Sequence, residues 1–128
     1  MTVSNRKSLV TEYFRGVDDQ DLPLLLGTLA ETCVFSIETH SVKLAGHDEI
    51  SGMFHRLWSN HKWVRHDQFF FVEDNQNYTI AVRFRVTNQL PDNQLVYKSN
   101  CNFFTLEGNK FSEVRVYMAG ENTLDRAD

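Results

Sequence analysis

Tyr97-Lys98-Ser99-Asn100-Cys101-Asn102-Phe103-Phe104-Thr105-Leu106-Glu107-Gly108-Asn109-Lys110-Phe111, carried on by Val114-Arg115-Val116-Tyr117-Met118, has the composition of a long β-hairpin. Two β-rich runs flank Glu107-Gly108-Asn109, where Gly and Asn can take the positive φ that a tight turn requires. Asn100 and Asn102 are two apart, so both amides leave the same face of the strand. Asn is depleted in strands and costly to bury without a partner. The pair therefore belongs either on a solvated or subunit-facing surface, or inside a pocket that binds a polar ligand. Alternation makes Leu95, Tyr97, Ser99, Cys101 and Phe103 the more apolar face, which favours an outward position for the amides unless a bulge shifts the register.

Upstream of the hairpin the apolar period is also 2. Trp63 to Val72 reads as one strand and Asn77 to Thr87 as another, joined by Glu73-Asp74-Asn75-Gln76. In the second, Ile80, Val82, Phe84 and Val86 alternate with Ala81, Arg83 and Arg85. Before Trp63 the period lengthens to that of a helix. Leu9, Val10, Tyr13, Phe14 and Val17 form one stripe from Asn5 to Val17, and Asp18-Asp19-Gln20 breaks it. Asp21 can cap a second helix, with Pro23 tolerated in its first turn, and Leu22, Leu25, Leu26 and Leu29 form its buried face. A short strand over Cys33–Ile37 and a second through Val42–Leu44 precede a third helix opened by Asp48 and Glu49, where negative charge suits the dipole. Its stripe is Ile50, Met53, Phe54, Leu57 and Trp58. Helices first and a long antiparallel sheet afterwards give an α+β fold.

At 128 residues the chain fits one domain, spanning 1–128 with a core over 8–118 and a polar tail over 119–128. Thirteen basic against seventeen acidic residues leave a net charge of −4, which argues against a nucleic-acid backbone as partner. No run approaches the length of a membrane span, and the polar N-terminus does not resemble a signal peptide, so a cytoplasmic location without membrane contact is expected. Cys33 and Cys101 fit no metal-binding spacing and read as small buried hydrophobes. The five His, at 40, 47, 55, 61 and 66, form no zinc motif, and Gly-rich nucleotide loops and a serine-hydrolase elbow are missing, so neither metal nor cofactor is expected.

Four local cues recur in order: Tyr13 through Asp21-Leu22; Leu29-Ala30-Glu31 before Val34-Phe35; Leu44-Ala45-Gly46-His47-Asp48-Glu49-Ile50; and Asn102-Phe103-Phe104 before Glu107-Gly108. With the order of elements, they resemble the nuclear transport factor 2-like superfamily in its SnoaL-like and ketosteroid-isomerase-like branch. That resemblance implies a cystatin-like cone, a strongly bent antiparallel sheet wrapped around three helices and enclosing a pocket. It matches Tyr13 to the first-helix tyrosine of the isomerases, including its spacing to an acid, here Asp21. Asn102 falls where that family places a second oxyanion donor, and scytalone-dehydratase-like members are similar in carrying Asn there. The isomerases' catalytic Asp aligns with Ile37, which takes no proton; adjacent Glu38 points to the opposite face of a strand.

A different base is then required, and His66 on the first long strand is the leading one, since imidazole suits proton transfer near neutral pH. Glu38 and His40 share a face if their strand runs straight, and could act as an acid–base pair. Phe14, Trp58 and Trp63 are expected to line an aromatic pocket, with Asn100 as a polar contact. Arg83, Arg85, Arg115 and Glu113 fall opposite the core, on a sheet face suited to closing a homodimer. The expected function is binding of a small organic molecule. It includes lyase or isomerase chemistry on a carbonyl- or hydroxyl-bearing ring compound, with Tyr13, His66 and Asn102 as catalytic residues. A non-catalytic binding or accessory module of the same fold is the alternative, and a scaffold whose cone is filled by its own aromatics is a third.

Overall fold

The computed structural model describes residues 5–119. The chain runs α1 (Asn5–Asp18), α2 (Leu22–Gly27), β1 (Leu29–Ile37), a 3-10 turn (Glu38–His40), β2 (Val42–Ala45), α3 (Gly46–Asn60), β3 (Trp63–Asp74), β4 (Thr79–Gln89), β5 (Leu95–Glu107) and β6 (Lys110–Ala119). The tail read from sequence at 119–128 lies, beyond Ala119, outside the described residues. Asp21 caps α2 as its position suggests: the Leu24 N–H donates to its Oδ1 at 3.1 Å, and Pro23 sits in the first turn. Asp48 and Glu49 occupy the first turn of α3. Between β5 and β6 the turn is made with Gly108 at φ +66.

The six strands form one sheet in the order β2-β1-β6-β5-β4-β3. An antiparallel sheet was expected, and the structure corrects this. β1 and β6 run parallel, with Val34 to Ile37 beside Glu113 to Val116, so the sheet is mixed. Helix α3 carries the chain from β2 to the far edge at β3, and three hairpin-like reversals then bring β6 back beside β1 in the same direction. Strand direction across such a crossover leaves no mark on local periodicity. β1 also starts earlier than Cys33, because exposed Glu31 and Thr32 interrupt its apolar pattern.

The inner face of the sheet packs on the helices. Val10, Tyr13, Phe14 and Val17 of α1 and Ile50, Met53, Phe54 and Leu57 of α3 meet Ile80, Val82, Phe84, Phe104 and Val114 in one buried cluster. Aromatic edges and faces lock it: Phe14 lies 4.7 Å from Phe84 and 5.0 Å from Tyr13, and Tyr13 lies 5.1 Å from Phe104. β3 changes face partway along. Its register jumps from Asp67↔Arg85 to Phe70↔Arg83, with Gln68 at φ +58. This bulge keeps His66 on the inner face and brings Phe69 in as well, 5.1 Å from Phe14, while Phe70 lies over Arg83 outside.

Helices α1 and α2 cross at Gly16, where a Cβ would stand 2.9 Å from the Cα, Cβ and N of Leu25. Gly27, by contrast, has open space around it. Gly16→Ala is expected to lose about 1–3 kcal/mol in urea unfolding, whereas Gly27→Ala is expected to be neutral or to gain up to about 1 kcal/mol. Equal stability of the two variants would contradict the close crossing.

Candidate functional site

A cavity of about 70 Å³ lies between α1, α3 and the inner face of the sheet. Three of its walls carry chemistry. Helix α1 contributes Tyr13 and Phe14, β3 contributes His66, and β5 contributes Asn100 and Asn102; the rest is apolar, including Ile37, Met53, Phe84 and Met118.

His66 is held by Asp18, the last residue of α1. Its Nδ1 lies 2.5 Å from Asp18 Oδ1, and its backbone N–H donates to Asp18 Oδ2 at 2.9 Å. One carboxylate thus fixes both the strand and the ring. With Asp18 ionised, Nδ1 carries the proton that it donates, which leaves Nε2 as the basic nitrogen. Phe14 stacks on the ring at 4.8 Å and Phe84 flanks it at 5.5 Å, so the imidazole is held on its faces too. Asp18 also lines a shallow surface groove with Asp19, Trp63 and Arg65.

Asn100 and Asn102 point inward, 7% and 2% exposed, and the Oδ1 of each is buried without a hydrogen-bond partner among the described residues. The outward position expected from alternation is therefore corrected. The aromatic-rich face of Leu95, Tyr97 and Phe103 is the exposed one, and the amide face belongs to the core. No bulge is involved: β4 and β5 stay in register from Thr79↔Thr105 to Gln89↔Leu95. Two unpaired amide oxygens in one cavity are costly unless something fills it. Tyr13 is equally buried. Burial, and then the neighbouring Cys33, pushes its phenol far above the ordinary tyrosine range, so it stays a neutral O–H donor. Cys33 is itself pushed up to about 12, chiefly by burial and then by Glu113, as suits an inert core thiol.

Other residues singled out in the sequence lie elsewhere. The chain leaves β1 at Ile37 into the 3-10 turn and passes Ser41 at φ +56, so Glu38 and His40 do not share a strand face. Both are exposed: Ser36 donates its hydroxyl hydrogen to Glu38, and His40 Nδ1 pairs with the Thr39 hydroxyl at 3.0 Å. Trp58 donates its indole N–H to the Val17 carbonyl at 2.9 Å and clamps α3 to α1. Trp63 lies beside Arg65, 5.3 Å from ring to guanidinium, on the surface groove. None of these four lines the cavity. Asp21, paired with Tyr13 by spacing, is the exposed cap of α2. The residue that sequence reasoning missed is Asp18, which reads there only as a helix break. Its signal was position, one residue past Val17 at the end of the inward stripe.

A larger opening of about 800 Å³ lies elsewhere, beside Arg6, Glu73, Tyr78 and Gly108. Arg6 is already bonded there to Glu73 at 2.8 Å and Asn75 at 2.7 Å, and its lining includes no imidazole or buried amide. No group of three or more metal-ligating side chains occurs among the described residues. No helix among them is long and apolar enough to cross a membrane.

The fold is shared with solved structures of low sequence identity. A candidate polyketide cyclase from Xanthomonas campestris pv. campestris superposes with a TM-score of 0.80 at 16% identity, covering 89% of this chain and 92% of that one. An NTF2-like protein of unknown function from Burkholderia pseudomallei gives 0.81 at 16% identity, covering 91% and 92%. A hypothetical protein with a ketosteroid isomerase-like fold from Catenulispora acidiphila, in complex with trimethylamine, gives 0.77 at 11% identity, covering 85% and 83%. No curated protein matches the chain. The SnoaL-like domain matches residues 10–114, from the middle of α1 into β6, and the chain belongs to that family, with an α+β NTF2-like fold.

Proposed function

We propose that the cavity binds a small organic molecule and moves a proton on it, in a lyase, isomerase or cyclase reaction of a carbonyl- or hydroxyl-bearing ring compound. The observation that carries this reading is an oriented imidazole, His66 on Asp18, set into the same cavity as two buried amides whose oxygens are unpaired among the described residues. In this scheme Nε2 of His66 takes a proton from carbon or returns one to a leaving hydroxyl. Tyr13 and the amide NH₂ groups of Asn102 and Asn100 hold the oxygen on which negative charge develops; neutral donors need no proton bookkeeping. The trimethylamine complex of the Catenulispora protein supports a small organic occupant for this fold. The 70 Å³ cavity is smaller than the roughly 300 Å³ at the low end for ligand pockets. A ring compound therefore enters by displacing the flexible Met53 and Met118 on its walls.

A second reading is a non-catalytic binding module. It is favoured by the small cavity and by apolar, buried Ile37 at the position where the resembled isomerases place their acid. Both readings include a cytoplasmic protein that forms a homodimer through the outer face of the sheet. That face exposes Leu95, Tyr97, Phe103 and Tyr117 and is aromatic in the manner of subunit interfaces.

Proton transfer is tested by following α-hydrogen exchange of 2-tetralone in D₂O by NMR. The protein is expected to accelerate exchange, with His66→Gln losing about 10²–10⁴-fold and Asn102→Leu about 10²–10³-fold. Binding without acceleration selects the second reading. Asn102→Leu is also expected to leave thermal stability unchanged or raised, because it removes an unpaired buried acceptor; a loss of several kcal/mol would mean that the amide serves the fold instead. For the dimer, Tyr97→Glu with Phe103→Glu is expected to halve the mass in light scattering, and an unaltered mass would contradict that interface.

A further inference from the structure

The chemistry above employs the amide nitrogens of Asn100 and Asn102 and leaves their oxygens unassigned. Both side chains lie on the inner face of β5 and line the cavity, 7% and 2% exposed. Each Oδ1 is buried without a hydrogen-bond partner among the described residues. An amide oxygen accepts and never donates, so a carbonyl or carboxylate on the occupant leaves both atoms unpaired. What relieves them is a group that brings its own hydrogens.

The number of hydrogens needed and the charge of the walls decide which group that is. Side chains two apart on one strand face are rooted about 7 Å apart, so a single group seated between them reaches both. A hydroxyl offers one hydrogen, whereas a primary ammonium offers three. The lining residues include no Lys, Arg, Asp or Glu. Lys98, two residues before Asn100, is not among them and is already engaged. Tyr13 and His66 are the titratable members of the lining, and Tyr13 keeps its proton. Asp18 stands directly behind His66, so the pair is negative with a neutral imidazole and uncharged overall with a protonated one. In neither state does it repel a cation as a lone imidazolium would. The rest of the wall is largely aromatic or thioether, with Phe14, Phe35, Phe54 and Phe84 beside Met53 and Met118. Aromatic faces attract cations, more strongly once water is excluded.

We propose that the ligand carries a primary ammonium group, held between Oδ1 of Asn100 and Oδ1 of Asn102, on the ring compound whose oxygen the amide nitrogens and Tyr13 contact. This rests on the reading of the cavity as a ligand site, and adds the ligand's charge and the hydrogens it must bring. The ammonium takes the existing space of about 70 Å³, and the ring takes the room released by Met53 and Met118.

Titration calorimetry with benzylamine, benzyl alcohol and benzyl methyl ether tests it. The measurement is made at neutral pH, where the amine is protonated, and in about 1 M NaCl, where a screening length of about 3 Å suppresses attraction to the acidic surface. Wild-type protein is expected to bind benzylamine about ten-fold more tightly than benzyl alcohol, the margin of a charged over a neutral hydrogen bond. The ether, which has no donor, is expected to bind most weakly. Asn100→Leu combined with Asn102→Leu is expected to abolish the preference for the amine. Equal or tighter binding of the alcohol or the ether by wild type overturns the ammonium assignment and leaves the ligand-site reading standing. So does a preference for the amine that persists in the double variant. The wild-type comparison decides even if that variant does not fold. Binding of none of the three at millimolar concentration overturns the ligand-site reading itself, and this inference with it.

Discussion

The carboxylate of Asp18 ties the last turn of α1 to the sheet edge, and the site depends on that tie. Its two oxygens act separately, Oδ2 accepting the backbone N–H of His66 and Oδ1 accepting from the imidazole. The first contact fixes where β3 begins beneath the helix. The second fixes which ring nitrogen is free. A hydrogen bond from a charged group, partly shielded from water, is worth more than a neutral one and leaves a larger penalty if broken. Aromatic packing supplies the remaining constraint, because Phe14 and Phe84 close on the imidazole and leave it little freedom to rotate. The bulge at Gln68 belongs to the same arrangement. By absorbing one residue after Asp67, it lets β3 present His66 to the interior and lay the still exposed Phe69 against Phe14.

Against this rigid frame stands an incompletely satisfied wall. Asn100 and Asn102 occupy positions on β5 where Val or Ile would pack without cost, and their buried oxygens are unpaired among the described residues. Stability alone offers no reason for such a pair, since an apolar side chain of similar size avoids the desolvation penalty. A ligand that supplies the missing hydrogen bonds does. The small volume adds a second condition, that binding must shift side chains on the cavity wall. Met53 and Met118 suit this movement, being unbranched and adaptable where the surrounding phenylalanines are not.

Much of the fold is legible in the sequence because its elements are long and strongly periodic. The stripe from Leu9 to Val17, the Asp21–Pro23 start of α2, and the alternation from Ile80 to Val86 each point to one local structure, and each forms it. What stays hidden depends on chain topology or on tertiary context. The parallel pairing of β1 with β6 is set by the crossover through α3, which no window of residues records. Alternation misreads the face of β5 because hydrophobicity is a poor sign of burial there: Tyr97 and Phe103 are exposed on the outer sheet face. Glu38 and His40 would share a face on a straight strand, and Ser41 at positive φ ends that strand. Asp18 and His66 are 48 residues apart, so only the folded chain shows them as a pair.

A crystal structure of the protein with 2-naphthol, a stable aromatic enol, tests the central claim most directly. Its hydroxyl is expected within about 2.6–3.2 Å of the Asn102 amide or the Tyr13 hydroxyl, with His66 Nε2 facing the ring. The Asp18–His66 contact is expected to stay intact. Naphthol bound only on the outer sheet face, with Asn100 and Asn102 still enclosed and unpaired, would contradict the claim.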